Sequence, residues 1–144
     1  MSFIKKSENM IFSSDNNEKN VIIYYIYKSD LEDELDEKEL YKCAISKINE
    51  NETFDVICHK CDIWFGVSDK CFTCIYIDFN DEDINLLNAL QFIDNKKWKF
   101  NCGFYYLENV YNKIIITSTK DPNTLFQNSN KWKNKIKQFQ IIKL

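Results

Sequence analysis

Six cysteines, one histidine and two strand-end polar residues are the side chains best suited to chemistry in this 144-residue chain. Cys58-x-x-Cys61 and Cys71-x-x-Cys74 form two C-x-x-C pairs with nine residues between them. Zinc favours four thiolates in tetrahedral geometry, and each C-x-x-C knuckle supplies two. The spacer is shorter than the usual ~15–20 residues. Cys71 and Cys74 also run into an apolar stretch, where reduced thiols are ordinary small core residues. Zinc ligation by Cys58, Cys61, Cys71 and Cys74 is one expectation, and reduced core cysteines are the other. His59 is the only histidine; it is an alternative ligand or, more simply, a surface or loop residue. One histidine with no serine or cysteine arranged around it makes no hydrolase triad. Asp78 closes the apolar run Ile75-Tyr76-Ile77, and an acid at the carboxyl end of a parallel strand is where nucleotide-binding folds hold Mg²⁺ or polarise water. Thr119 follows a second apolar run, 113–118 (KIIITS).

Composition excludes several chemistries. Gly66 and Gly103 are the only glycines, too few and too far apart for either common glycine-rich phosphate loop. All 19 basic residues are lysines, so there is no arginine finger and no bidentate arginine clamp. Net charge is −3, against the basic balance of most nucleic-acid binders. The charge is uneven: 30–39 (DLEDELDEKE) is acidic, while 131–137 (KWKNKIK) is basic with an interleaved tryptophan. No apolar stretch approaches the ~20 residues needed to span a bilayer, and the first ten residues lack a signal-peptide core. The expectation is an intracellular protein, cytoplasmic or nuclear, with reduced thiols and no membrane partner.

The elements that would position these residues follow from hydrophobic pattern. Residues 1–20 read as a polar, flexible lead-in, and 21–144 as one domain. Four short apolar runs, 21–27, 54–58, 72–79 and 113–118, are rich in β-branched and aromatic residues and do not alternate with polar ones. That pattern marks strands buried on both faces, as in a parallel sheet. Ser29 and Glu32 form a capping-box pattern ahead of Leu31, Leu35, Leu40, Ala44 and Ile48 at helical spacing. Asn80 or Asp81 is expected to cap a second helix with Ile84, Leu87 and Leu90 inward. A third helix over 129–139 places Trp132, Ile136 and Phe139 on one face. The segment 100–106 (FNCGFYY) reads as a hairpin or exposed loop. The order of elements predicts an α/β layered fold with a mainly parallel central sheet flanked by helices.

The stretch 64–126 resembles the superfamily 3 helicase domain of the replication-associated Rep proteins of circular single-stranded DNA viruses, a P-loop NTPase-like family. Trp64-Phe65 stands where the family has a tryptophan pair, ahead of Ile77-Asp78-Phe79 in place of its strand ending Asp-Asp-Phe. Leu86-Leu87 matches a leucine pair in the next helix, and Asn101-Cys102-Gly103 falls in a loop that carries Lys-Gly-Gly. The run 114–118 with Thr119, Pro122 and Leu125-Phe126 follows the family's closing strand, proline and aromatic pair, and 131–136 its basic helix.

The departures fall on the chemistry. Lys28-Ser29-Asp30-Leu31-Glu32-Asp33-Glu34 replaces the Gly-Lys-Ser/Thr phosphate loop, and its carboxylates would repel a triphosphate. Asp78 alone remains of the acidic pair, Asn101 replaces a DNA-contacting lysine, and Thr119 replaces the asparagine that senses the γ-phosphate. Asn134 and Lys135 stand where arginines are expected. One histidine leaves no His-hydrophobe-His motif for the family's nicking activity. The resemblance thus implies a Rep-like helicase domain remnant, a viral gene in an AT-rich cellular genome, with ATP and Mg²⁺ binding lost and no ATP hydrolysis. It implies Asp78 and Thr119 as catalytic remnants, Lys99, Asn101 and Phe104 as nucleic-acid-binding residues, and single-stranded DNA or RNA or a homo-oligomer as partners. The lysines of the closing helix are candidates for phosphate contact or a solvated face. The alternative reading is a small zinc-binding or protein-interaction module built on the four cysteines, and a third is an inert scaffold that binds a protein partner through exposed aromatics such as Tyr105, Tyr106 and Trp132, which are as easily core residues.

Overall fold

A computed structural model describes residues 21–29, 34–94 and 97–144. Its elements are β1 (Ile22–Tyr27), α1 (Glu34–Ile45), β2 (Asp55–Lys60), β3 (Ile63–Phe65), β4 (Thr73–Tyr76), α2 (Leu86–Asp94), β5 (Lys99–Asn101), β6 (Tyr106–Glu108), β7 (Lys113–Ser118), α3 (Asn130–Ile136) and β8 (Gln140–Lys143). Six strands form one sheet in the order β3-β2-β4-β7-β1-β8, and β5 pairs with β6 in a separate hairpin. The pairs β2–β4, β4–β7, β7–β1 and β1–β8 are parallel; only β3, an edge strand, is antiparallel to its neighbour β2. The α/β class and the mainly parallel sheet expected from the uninterrupted apolar runs are both present.

Alternation along the strands sorts the core into two layers. Tyr25, Tyr76, Ile114 and Ile116 face α2 and α3, whose Ala89, Phe92, Trp132 and Ile136 complete that layer. Ile26, Ile75 and Ile115 face the other way, against Leu40 and Ala44 of α1. The first layer is aromatic. Trp132 stacks on Phe79 with ring centroids 6.1 Å apart and donates its indole N–H to the Pro122 carbonyl at 2.9 Å. Tyr25 stacks on Phe139. Such rings carry most of the burial in a core of this size.

Several expectations are corrected. Helix α2 starts at Leu86, capped by the Asn85 side chain, which accepts from the Asn88 amide at 2.9 Å. Asn80 instead caps a tight turn, accepting from the Glu82 amide. Leu87 is 64% exposed and Leu35 69%, so neither faces inward. The later start rotates α2 so that Ala89, Phe92 and Ile93 take the core side. Strands β3 and β8 were not expected at all. Helix α3 agrees with its pattern: Ser129 caps it by accepting from the Trp132 amide, and Trp132, Ile136 and Phe139 are buried. The lead-in 1–20 and the Leu31 and Glu32 part of the first capping box lie outside the described residues. No helix of the described residues is long and apolar enough to cross a membrane.

Candidate functional site

Parallel strands put all their carboxyl ends on one edge of the sheet. β1 leads through α1 on one face to β2, on the far side of β7 and β4, whereas β7 leads through α3 on the other face to β8. The connections therefore diverge between β1 and β7, and in open α/β sheets ligands sit outside the carboxyl ends at such a point. A cleft of about 180 Å³ lies beside that point, at the ends of β4 and β7 and against α1, lined by Glu37, Leu40 and Tyr41 from α1, Ile77 and Asp78 after β4, and Thr117, Ser118 and Thr119 at the end of β7.

Asp78 and Thr119 are thus brought together at the ends of adjacent strands. Asp78 leaves β4 with φ 59°, a left-handed conformation that costs a non-glycine residue about 1–2 kcal/mol. One backbone and one side-chain bond hold the bend: Phe79 N–H donates to the Thr117 carbonyl at 3.0 Å, and Ser118 Oγ donates to the Phe79 carbonyl at 2.7 Å. Ser118 Oγ in turn accepts from the Lys120 amide at 3.0 Å. Both side chains of interest remain exposed.

The residues around this cleft do not fit a nucleotide triphosphate with its magnesium. Lys28, which follows β1, is already taken up by carboxylates of α1. Its Nζ lies 2.6 Å from Asp36 and 3.1 Å from Glu39, and the hydrogen bonds it donates to both carboxylates hold its pKa above the ordinary lysine value. Glu37 faces the cleft, so the wall presents negative charge where phosphate charge would collect. Residues 30–33, the middle of the acidic substitution, lie outside the described residues.

Lys99, Asn101 and Phe104 lie on the β5–β6 hairpin, as expected for 100–106. Asn101 uses its amide for structure: Nδ2 donates to the Asp62 carbonyl at 3.2 Å and Oδ1 accepts from the Gly103 amide at 3.0 Å. Gly103 takes φ 95° at the turn, open to solvent. Phe104 is fully exposed at the tip, with Tyr105 and Tyr106 more than half exposed beside it. Lys99 pairs across the ladder with Glu108 at the hairpin base, away from the tip.

The four zinc candidates are not assembled. Cys74 pairs in register with Asp55 at the amino end of β2. Cys58 sits three residues further along, about 10 Å at ~3.3 Å per residue. Cys61 lies in the turn beyond, at the opposite edge from Cys71. Cys74 is fully buried, which raises its thiol pKa well above the ordinary value. No group of three or more metal-ligating side chains exists among the described residues.

His59 is a correction: it is a buried core residue of β2, not a surface or loop histidine. Its ring packs edge-on against Trp64 at 4.9 Å, and Trp64 in turn packs against Trp98 and Phe100 at the hairpin base. Burial lowers its pKa, against the opposing pull of Asp62 and Asp83, and Nδ1 has no hydrogen-bond partner. Sequence reasoning also missed the contribution of Glu37 and Tyr41 to the cleft. Their one-turn spacing on an acidic helix was the available signal.

Comparison with models of known protein families gives no match, and comparison with curated protein sequences gives none either.

Proposed function

We propose that this chain is a helicase-type nucleotide-binding fold of the Rep lineage that has lost ATP hydrolysis and binds single-stranded nucleic acid through its β5–β6 hairpin. The observation that carries the reading is the pairing of Asp78 and Thr119 in one cleft, at the carboxyl ends of adjacent parallel strands. Both positions follow adjacent parallel strands, so the sheet register brings them to the same edge, as the family's order of elements requires. The loss of catalysis is supported by the same cleft: Lys28 is neutralised by Asp36 and Glu39, and Glu37 faces inward.

The nucleic-acid part rests on the hairpin. Three exposed aromatic rings at its tip present roughly 400 Å² of apolar surface if each ring offers ~200 Å² when free. A patch of that size is in the range of the largest on a typical monomer, which is often functional. Exposed rings stack on bases without sequence preference, at ~1–3 kcal/mol per base. Lys97 and Lys99, at the base of the hairpin, supply positive charge along the path of the backbone. Asn101 braces the hairpin against the β2–β3 turn and so positions the tip. Anisotropy of a labelled oligo-dT20 tests this. Salt-sensitive binding that weakens at least fivefold in Phe104→Ala, with the fold intact, is expected. Binding unaffected by that change removes the hairpin from the reading.

A further inference from the structure

We propose that the outer edge of β8 binds an acidic peptide as an added strand. β8 ends the sheet: it pairs with β1 on one side and, among the described residues, with nothing on the other. The Leu144 amide donates to the Tyr27 carbonyl at 2.9 Å, which fixes the direction of alternate backbone groups. Gln140 and Ile142 therefore turn their N–H and C=O toward β1. Ile141 and Lys143 turn theirs outward, as a ladder ready to be extended.

The side chains next to that ladder define what would extend it. Ile142 packs into the core on the α1 side, so Ile141 and Lys143 project on the α3 side. There a groove of about 440 Å³ runs between α3 and β8, lined by Asn123, Lys133, Ile136, Lys137 and Ile141. Its floor is aliphatic, with Ile141 43% exposed. Its rim is basic: Lys133, Lys137 and Lys143 are exposed, and no carboxylate lines the groove. Lys135, by contrast, is engaged with Asp94 of α2 at 2.6 Å and holds α3 in place.

Charge selects among the occupants. Edge-to-edge pairing with a second copy would bring two sets of these lysines together, the arrangement by which edge strands repel their own kind. A single-stranded nucleic acid would satisfy the charge but leave the outward amides and carbonyls unpaired. An extended peptide alternating acidic and β-branched residues satisfies all three features. Its backbone completes the ladder, its apolar side chains lie on Ile136 and Ile141, and its carboxylates meet the lysines.

Fluorescence anisotropy of a labelled alternating Glu/Val heptapeptide, added to the full chain, tests the proposal. The expected result is saturable binding that falls with salt. It should be absent for the same peptide N-methylated at alternate backbone nitrogens, and absent for an alternating Lys/Val peptide. Lys133→Glu with Lys137→Glu should weaken it about tenfold, as loss of two exposed ion pairs implies. No binding of the acidic peptide at millimolar concentration overturns the proposal, as does equal binding of the N-methylated peptide. Displacement of the bound peptide by oligo-dT15 assigns the surface to nucleic acid instead. Dimerisation of the free protein, abolished by the same two substitutions, assigns it to a second copy.

Discussion

The two edges of the central sheet are built differently. At the amino edge the polar groups are mutually satisfied. Lys113 Nζ lies 2.9 Å from Glu52 and 3.0 Å from the Lys47 carbonyl, and Thr73 donates to the other Glu52 oxygen. Beside it, Asp55 accepts from the Tyr111 hydroxyl at 2.7 Å and from Ser68 through both hydroxyl and amide. These bonds tie the starts of β2, β4 and β7 to the loops below them. At the carboxyl edge, the bend after β4 and the β2–β3 turn both take left-handed backbone at non-glycine residues. A cleft is left open, and aromatic rings project into solvent. The sheet is thus sealed by polar pairs at one edge, while at the other it carries strained backbone, an open cleft and exposed side chains.

The largest effect that would test this contrast is at the sealed edge. Lys113→Met leaves Glu52 with the Thr73 hydroxyl and the Asn49 amide but without its cation, and should cost about 2 kcal/mol in urea unfolding. Binding of oligo-dT20 should be unchanged. A loss of binding without loss of stability would erase the distinction between the edges.

The next effect is acid sensitivity. Burial depresses the His59 pKa, so the folded state resists a proton that the unfolded chain takes up near pH 6.5. Stability contributed by neutral His59 is full above that pH and falls as the pH drops through it. Glu52 has a second window. Burial pushes its pKa up, but hydrogen bonds from Thr73 and Lys113 outweigh that and leave it lowered. Its contribution is lost only below the ordinary carboxylate range. Midpoints of urea unfolding between pH 7 and 5 should decline in the native protein and stay flatter in His59→Phe. Equal slopes would show that His59 is not the titrating group.

The smallest effect concerns strain. Cys61 and Asp62 both take positive φ, 53° and 64°, in the two-residue turn between Lys60 and Ile63. That geometry matches a type I′ turn, which prefers Asn-Gly. Cys61→Asn with Asp62→Gly should raise stability by about 1 kcal/mol. The carbonyl that braces Asn101 is retained. A destabilised variant would mean that the side chains of Cys61 and Asp62 support the turn.

This turn also shows where the sequence stopped being legible. A two-residue hairpin loop without glycine carries no turn signal, and β3 is only three residues long. Neither could be read from pattern, although Trp64 at its centre was singled out. β8 has four residues, three of them exposed or nearly so, and exists because β1 offers it a partner. Strands β1 and β7, by contrast, are buried on both faces and announced themselves as unbroken apolar runs. The placement of Asp78 and Thr119 in one cleft was legible because both end such runs. The capture of Lys28 by Asp36 and Glu39 was not, since it depends on how α1 is set against β1. His59 was misread because a lone histidine between cysteines gives no hint that Trp64 will cover it.

Under the proposed function, the cleft beside Asp78 and Thr119 keeps the position of a nucleotide site without its phosphate grip. Titration of ATP with Mg²⁺ into the purified protein, with phosphate release followed in the same samples, tests that most directly. The prediction is no saturable binding up to millimolar nucleotide and no release above background, in the native protein and in Asp78→Asn alike. Phosphate release by the native protein that Asp78→Asn abolishes would contradict it.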